Sequence, residues 1–530
     1  MIFAVQVCLG IAERSHRAGP DRQLPTVARH APGRLVQCRK NPEDGMTGDA
    51  PWRPRLVQEA RLRELDDLLA SGPDTIEAEV ERAALLNALG RPLEARQAYL
   101  DVLKRAPTHF GALNDFGALL SATGHRRAAC TVYVEAVTHH PDNPMAHVNL
   151  ANLLLRGGDL AKAREHYETA LRLDADHPQA HQGLGNLLAE LGDREGAELH
   201  RRKGFQGQFL TTLPYRGTKP PIPLLVLVSA SGGNIPTASF LDNRVFLSSI
   251  CVAEFYDPRV PLPPHDLIFN TIGDADLCRP GLEAAFRVLA QTTAPVLNHP
   301  SAVLETGRLA NARRLSDLPG VVTPRMIELP RSLLVAPEAA RAVSARGFAF
   351  PLLVRAPGFH TGHHFFLVEN SDALSAAAAQ LPGDNLLIIE YLDARGRDGK
   401  ARKYRVMIID GEIYPLHLAV SRHWKVHYFT ADMADYPEHR QEDAAFLNDM
   451  SAVLGPAVTA LARIREALGL DYGGIDFGLN EAGEVLVFEA NATMVVYPPD
   501  NDDRWAYRRP AVNRILDAVH AMMVGRAATR

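Results

Sequence analysis

The stretch DYGGIDFGLNEAGEVLVFEANATM, Asp471–Met494, decides how the second half of this chain is read. Apolar residues cluster on both sides of Asn480-Glu481-Ala482-Gly483, a turn signal, so two strands joined at that turn are expected. Asp476 lies in the first strand; Glu489 and Asn491, two residues apart, lie in the second. Side chains alternate across a strand, so Glu489 and Asn491 project from one face. If the strands pair as a hairpin, Asp476 joins them. Two carboxylates and an amide oxygen then surround one point, flanked by Ile475, Phe477, Val487 and Phe488. Such hard oxygen ligands suit Mg²⁺, which takes its other ligands from phosphates and water. The other reading is a hairpin with ordinary solvent-facing acids.

Around this stretch the composition is that of globular protein. The chain has 530 residues, 46 % hydrophobic and 22 % charged, a length that implies about three or four domains. A formal net charge of −5 offers no basic surface for a phosphate backbone, so nucleic acid is not an expected partner. The cysteines (Cys8, Cys38, Cys130, Cys251, Cys278) are scattered without a C-x-x-C pair, against a zinc site or disulfide framework and in keeping with a reducing cytoplasm. No apolar run approaches the ~20 residues of a membrane span. Residues 1–45, rich in Arg, Pro and Gly without periodicity, read as a disordered leader or as sequence upstream of a true start at Met46. Under the second reading, mass spectrometry of the natively expressed protein finds no tryptic peptide Gln23–Arg29; its detection refutes a start at Met46.

Between 54 and 205 the chain repeats itself. Gly90, Gly124, Gly158 and Gly192 recur at one spacing, as do Ala95, Ala129, Ala163 and Ala197, then Tyr99, Tyr133 and Tyr167, and Pro107 and Pro141. The pattern resembles the tetratricopeptide repeat: helix, tight turn at Gly, second helix with a small Ala at the crossing. Units are expected at 74–107, 108–141, 142–175 and 176–205, with Leu56–Leu69 as a capping helix. Such units stack into a solenoid with a concave face, which suggests a peptide or protein partner, or self-association as a homodimer.

After a Pro-rich linker at 206–223 the periodicity changes. PLLVLVSASGGN reads as a buried strand running into Ser231-Gly232-Gly233-Asn234; HDLIFNTIGDAD gives a second strand and the loop Asn270–Asp274. Alternating strands and helices imply a small parallel sheet, with ligands beyond the carboxyl ends of its strands. FAFPLLVRAPGFHTGHHFFLVEN (348–370) places a Gly-bearing loop between two apolar strands with Arg355 at its base, an arrangement able to cradle phosphate. His360, His363 and His364 in that loop leave open a metal cluster or a bare hairpin. A buried strand ending at Glu390 follows, then an antiparallel hairpin turning at Asp410-Gly411, with Arg405, Arg422 and Lys425 able to face one cleft.

In this order the elements resemble an ATP-grasp carboxylate–amine ligase from about 220 to 525, in the pattern of ribosomal-protein glutamate ligases and glutathione synthetase. PLLVR (351–355) resembles the strand carrying the phosphate-binding cation, IIEYL (388–392) the adenine hinge, and KYRVM (403–407) the strand whose Arg meets phosphate or substrate. GIDF and FEANA resemble the metal strands. The resemblance implies a multidomain chain: an all-α repeat solenoid at 54–205, an α/β pre-ATP-grasp domain at 224–325, and an α+β ATP-grasp domain. The latter comprises a phosphate-loop subdomain at 326–392 and a metal-site subdomain at 393–525. It implies ATP and Mg²⁺ as cofactors, with Asp476, Glu489 and Asn491 as metal ligands. Arg355 and Arg308 (or Arg313) would clamp phosphate, His360 and Gly362 belong to a loop closing over ATP, and Glu390, Tyr391 and Leu392 would hold adenine. Arg405 would stabilise the transferred phosphoryl group, with Arg422 or Lys425 on a small-molecule carboxylate or amine substrate. The chain departs from the family in carrying Arg355 where lysine is usual, and Ala492-Thr493 after the final Asn. A nucleotide-binding but non-catalytic interaction protein, and a kinase acting on a hydroxyl, are the alternative functions.

Overall fold

A computed structural model describes residues 53–72, 75–357, 364–426, 428, 431–499 and 502–528. The expected leader, and His360 and Gly362, lie outside these residues. The chain divides into two units, one reaching Leu225 and taking in Leu241–His265, the other made of Val226–Phe240 and Asp266–Arg530.

The first unit opens with helix α1 (Arg53–Ser71), followed by helix pairs α2 (Ile76–Ala88) with α3 (Pro92–Arg105), α4 (Phe110–Ala122) with α5 (Arg126–His139), α6 (Pro144–Arg156) with α7 (Leu160–Leu173), and α8 (Pro178–Glu190) with α9 (Arg194–Phe205). Each pair turns at one of the repeating glycines, whose φ values of 78, 80, 78 and 84° are open to glycine and strained for other residues. Starts are fixed chemically: Asp159, Asp193 and Asn143 accept backbone N–H groups, and His109 and His177 do so through ring nitrogens. Ala95, Ala129, Ala163 and Ala197 are fully buried, and Tyr99, Tyr133 and Tyr167 fill the space beside them. The tyrosines need glycine opposite: a Cβ at Gly117 would collide with the Tyr133 ring, and one at Gly183 with the Tyr167 ring.

The stretch expected as a linker has structure of its own. Strand β1 (Leu210–Thr212) lies there, and strand β2 (Ile222–Val228) begins there. β1 pairs antiparallel with β3 (Phe246–Val252) within the first unit. Phe205 at the end of α9 stacks on Phe255, with ring centroids 5.4 Å apart, and Phe209 meets Tyr256 edge-on at 5.8 Å. These aromatic contacts carry the repeat array directly into strand structure, a non-local pairing that a window of sequence does not display.

In the second unit β4 (Leu267–Asn270) and β5 (Val296–Leu297) run parallel, with helix α10 (Arg279–Leu289) between them. The two polar loops anticipated at one edge do meet: Gly273 N and Asp274 N both donate to Gly233 O, at 3.0 and 3.1 Å. Asn298, just past β5, adopts φ 55° and is wholly buried. Its Nδ2 donates to Tyr472 O (2.7 Å) and its Oδ1 accepts from Tyr472 N (2.8 Å), so one side-chain amide pairs with a strand as a backbone residue would.

Two antiparallel sheets complete the unit. One has the order β7 (Met326–Pro330), β10 (Asn385–Glu390), β8 (Leu352–Arg355), β9 (Phe365–Val368), packed on α13 (Arg331–Leu334), α14 (Ala339–Ser344) and α15 (Ser371–Ala379) through a core including Leu334, Val343, Leu352, Val354, Leu374 and Ile388. The other has the order β12 (Glu412–Ser421), β11 (Ala401–Ile409), β13 (Tyr472–Leu479), β14 (Val485–Asn491), β6 (Val321–Val322). Only β6 joins it in parallel. The C-terminal region is therefore mixed α/β, as expected in class.

Gly117→Ala and Gly183→Ala are each expected to destabilise the repeat array by about 1–3 kcal/mol, because a buried ring has little room to yield. Chemical unfolding followed by far-ultraviolet circular dichroism checks this; unchanged midpoints in both variants refute the tyrosine-over-glycine packing.

Candidate functional site

Strand register aligns the ionisable residues. His417 on β12 lies opposite Arg405 on β11, Arg405 opposite Asp476 on β13, and Asp476 opposite Glu489 on β14. A register shift follows Arg405 in one ladder and Asp476 in the other, so irregularities sit at the row itself. Asn491 is two residues from Glu489 and donates from Nδ2 to Glu489 Oε1 at 3.1 Å. Asp476, Glu489 and Asn491 are thus brought together, as the hairpin reading anticipated.

Charge compensation is dense here. Asp476 is 1 % exposed and receives Arg405 through both oxygens, at 2.5 and 2.7 Å, plus Lys403 Nζ at 2.6 Å. Burial pushes the Asp476 carboxyl up, but Arg405 and Lys403 outweigh it and hold the group far below the usual carboxylate range. Glu489 behaves alike: burial opposes ionisation, and Arg308, whose Nη2 donates to Oε1 at 2.9 Å, leads the charges that bring it down. Arg355, at the end of β8, is pushed down to about 10 by burial and by the neighbouring charge of Arg308. It lies over the Phe365 ring at 5.6 Å. Lys425 is lowered by burial and then by Arg355, so Arg355 and Lys425 share one electropositive neighbourhood.

A cavity of about 260 Å³ opens beside this row, lined among others by Asp274, Arg279, Arg308, Arg355, Glu489 and Asn491. Apolar residues of β7 and β10, Met326 and Leu387, close another wall. Arg308 starts helix α12 (Arg308–Leu315), and its backbone N–H donates to Asp276 Oδ2 at 3.0 Å. Asn311, one turn on, donates to Ala490 O at 2.6 Å and holds α12 against β14.

Other anticipated residues lie elsewhere. Arg422 places its guanidinium 4.7 Å from the Tyr436 ring centroid, and its backbone N–H donates to Asp432. Glu390 pairs with Arg325 through main chain and side chain, and neither it, Tyr391 nor Leu392 lines this cavity. Arg313 does not line it either, whereas Arg308 does. Sequence reading passed over Lys403 and Asn311. The first was within reach, since a residue two before Arg405 shares its face of the strand.

Next to the row lies a buried polar knot. Asp443, on helix α16 (Pro437–Asn448), is fully buried and accepts from Leu418 N (2.7 Å), Tyr507 Oη (2.6 Å) and Tyr428 Oη (3.3 Å). Arg508 stands 3.9 Å away and lies over the Tyr428 ring, which also packs on His417. Among the described residues no group of three or more His, Cys, Asp or Glu is placed to hold a metal ion, and no helix is long and apolar enough to cross a membrane.

Comparison with known proteins bears on the repeats. The sequence model of the tetratricopeptide repeat matches residues 114–178 and 149–200, so the N-terminal region carries tetratricopeptide repeats, a module associated with protein–protein interaction. No curated protein matches the chain. Among solved structures, MamA from Desulfovibrio magneticus RS-1 is similar at 25 % identity over 29 % of this chain and 89 % of its own, with a TM-score of 0.26. A Pseudomonas aeruginosa pilF structure is similar at 22 % identity over 29 % of this chain and 74 % of its own, with a TM-score of 0.27. The repeat assignment rests on the family match and the recurring residues.

Burial pushes the Asp443 carboxyl up to about 6 against the opposing charge of Arg508. A raised native pKa means that the folded state holds a proton the unfolded chain has lost. Stability from this group is therefore present below about pH 4 and lost as pH rises through 6. Between pH 4 and 6 Asp443→Asn is expected to remove a fall of about 2 kcal/mol, measured as urea-unfolding free energy at those two pH values. Parallel profiles for variant and parent refute the assignment.

Proposed function

We propose that residues 224–525 are an ATP- and Mg²⁺-dependent carboxylate–amine ligase of the ATP-grasp type, and that the repeats bind a peptide or protein. One observation carries this reading: the cross-strand row Arg405–Asp476–Glu489, with Lys403 and Asn491, lies beside a cavity lined by Arg308 and Arg355. Arg308 and Arg355 in the lining, with Arg405 and Lys403 in the row, offer cations to a polyphosphate, while Asp274, Asp276 and Glu328 add acids to the same lining. The donor set of Asp476, Glu489 and Asn491 fits Mg²⁺ in kind, each side chain offering oxygen, although Asn491 turns its Nδ2 to Glu489 and its Oδ1 to Thr493, so its amide would have to reorient to ligate. Bound there, Mg²⁺ would neutralise phosphate charge.

In the proposed chemistry a substrate carboxylate takes the γ-phosphoryl group of ATP, and an amine then displaces phosphate from the acylphosphate. The protein contributes positioning and charge instead of a nucleophile. Arg355 and Arg308 would neutralise phosphate oxygens from one side of the cavity. Arg405 and Lys403 keep Asp476 ionised and fixed, and as phosphate enters they can share their charge with it. Lys425, next to Arg355, is better placed for substrate or phosphate than Arg422, which is engaged with Tyr436.

A second reading has an observation of its own. Both oxygens of Asp476 are held by Arg405 and Lys403, so binding a metal requires displacing cations from a buried carboxylate. A domain that binds nucleotide without turnover tolerates that arrangement.

Glu489→Gln preserves shape and is expected to lower ADP release by about 10²–10³-fold, the range for loss of one charge-stabilising group. The assay supplies ATP and Mg²⁺ with amino acids, dipeptides and peptides. Chelation of Mg²⁺ should abolish turnover in the parent. Undiminished turnover in the variant refutes the metal assignment. Binding of a fluorescent ATP analogue without ADP release on any substrate selects the second reading.

A further inference from the structure

The repeat array carries a device that neither peptide recognition nor stacking accounts for. In the repeat formed by α6 and α7, His147 Nδ1 faces His166 Nδ1 at 3.0 Å. In the repeat formed by α8 and α9, His181 Nδ1 faces His200 Nδ1 at 2.8 Å. The same two positions, one on the first helix and one on the second, are thus histidine in consecutive repeats. The ring centroids are 5.3 and 5.0 Å apart.

Hydrogen bonding fixes the tautomer on the inner ring of each pair. His147 Nε2 lies 2.8 Å from Pro141 O, and His181 Nε2 lies 3.0 Å from Ala175 O. A carbonyl oxygen only accepts, so these Nε2 atoms carry the proton. In the neutral ring Nδ1 is then a lone pair, and it points at the second histidine. An imidazole whose far N–H is anchored on a backbone carbonyl, leaving the near nitrogen oriented and basic, is the usual arrangement of a metal-ligating histidine.

We propose that His147 with His166, and His181 with His200, form two bidentate sites for a borderline-soft divalent transition-metal ion, with solvent completing the coordination. Two nitrogens bound at about 2.0–2.1 Å are about 2.9 Å apart when they subtend a right angle at the metal, and about 3.4 Å apart in a tetrahedron. The separations of 3.0 and 2.8 Å match the right angle. Imidazole nitrogen suits Cu²⁺, Ni²⁺ and Zn²⁺, and among these Cu²⁺ binds most tightly in general. Without metal the same separation accommodates one N–H···N hydrogen bond from the part-exposed ring, and on binding that ring's proton moves to its own Nε2, so two neutral imidazoles take up the ion with no net loss of protons. His147 and His181 are buried at 6 % and 3 % exposure, while His166 and His200 are part-exposed and give the ion its way in.

Each site spans the two helices of one repeat. Occupancy would cross-link α6 to α7 and α8 to α9 without changing the fold, stiffening the part of the solenoid nearest Phe205.

The test uses the full chain and CuCl₂ in a non-chelating buffer at pH 7.5, read by electron paramagnetic resonance for coupling to imidazole nitrogen. The part-exposed partners are replaced, so that the buried histidines and their carbonyl bonds remain: His166→Gln, His200→Gln and the double variant. Circular dichroism confirms that each is folded. Each single variant is expected to lose one two-nitrogen copper site relative to the parent, and the double variant both; the thermal midpoint gained on adding Cu²⁺ should fall in the same order. Equal copper stoichiometry and spectra in parent and double variant overturn the proposal, as does a parent spectrum without coupling to two nitrogens.

Discussion

The constraint on which the C-terminal unit turns is the buried carboxylate of Asp476. An ionised group with 1 % exposure survives only if opposite charge and hydrogen bonds replace its water. Arg405 supplies both oxygens with N–H donors, and Lys403 adds a second cation from the same strand face. The arrangement dictates much around it. β11 must run beside β13, Glu489 falls next in line on β14, and Arg308 must stand near enough to balance Glu489. Removing a cation from this set would leave a charge stranded in the sheet, while removing the acid would leave two like charges together. The cluster is consequently a unit: its members have value to the protein only jointly.

The legible part of this was what depends on short-range periodicity. Glu489 and Asn491 share a face because they are two apart, and the turn at Asn480–Gly483 was enough to fold Asp476 back toward them. The repeating Gly, Ala and Tyr of the array were legible for a related reason, since each helix pair solves the same local packing problem. What escaped depends on contacts between residues far apart in the chain. Nothing near Asp443 announces Tyr507 and Arg508, more than sixty residues on. Residues 206–223 look like a tether because β1 is three residues long and its partner lies beyond β2. Lys403 is a different case, missed although period-2 alternation placed it beside Arg405. Glu390, Tyr391 and Leu392 rest on motif position alone; they lie outside the lining of the cavity beside the row, which Leu387 of the same strand joins.

The two units place histidine in different surroundings. In the C-terminal unit His417 ends the row of ionisable residues, and burial together with Arg405 holds its ring neutral, so a third cation is kept out of the cluster. In the repeats, histidines cap helices at His109 and His177 and face one another across helix pairs, positions where a ring nitrogen replaces an amide or hydroxyl oxygen. Burial suppresses protonation in both places, but in the repeats half of each pair stays open to water.

The amide of Asn298 has a consequence for which changes this chain tolerates. Its nitrogen and oxygen face an acceptor and a donor on Tyr472, and its own backbone N–H is held by Asp471. Aspartate has the same shape but no N–H to offer, so in its place one oxygen would confront the Tyr472 carbonyl. A single-atom exchange, the kind that spontaneous deamidation brings about over a protein's lifetime, would thus break the polar joint between the β4–β5 sheet and β13, leaving the packing of Phe269 on Tyr472 to hold them. Complete burial denies water to that amide, and the lifetime of the joint is set by how rarely it opens.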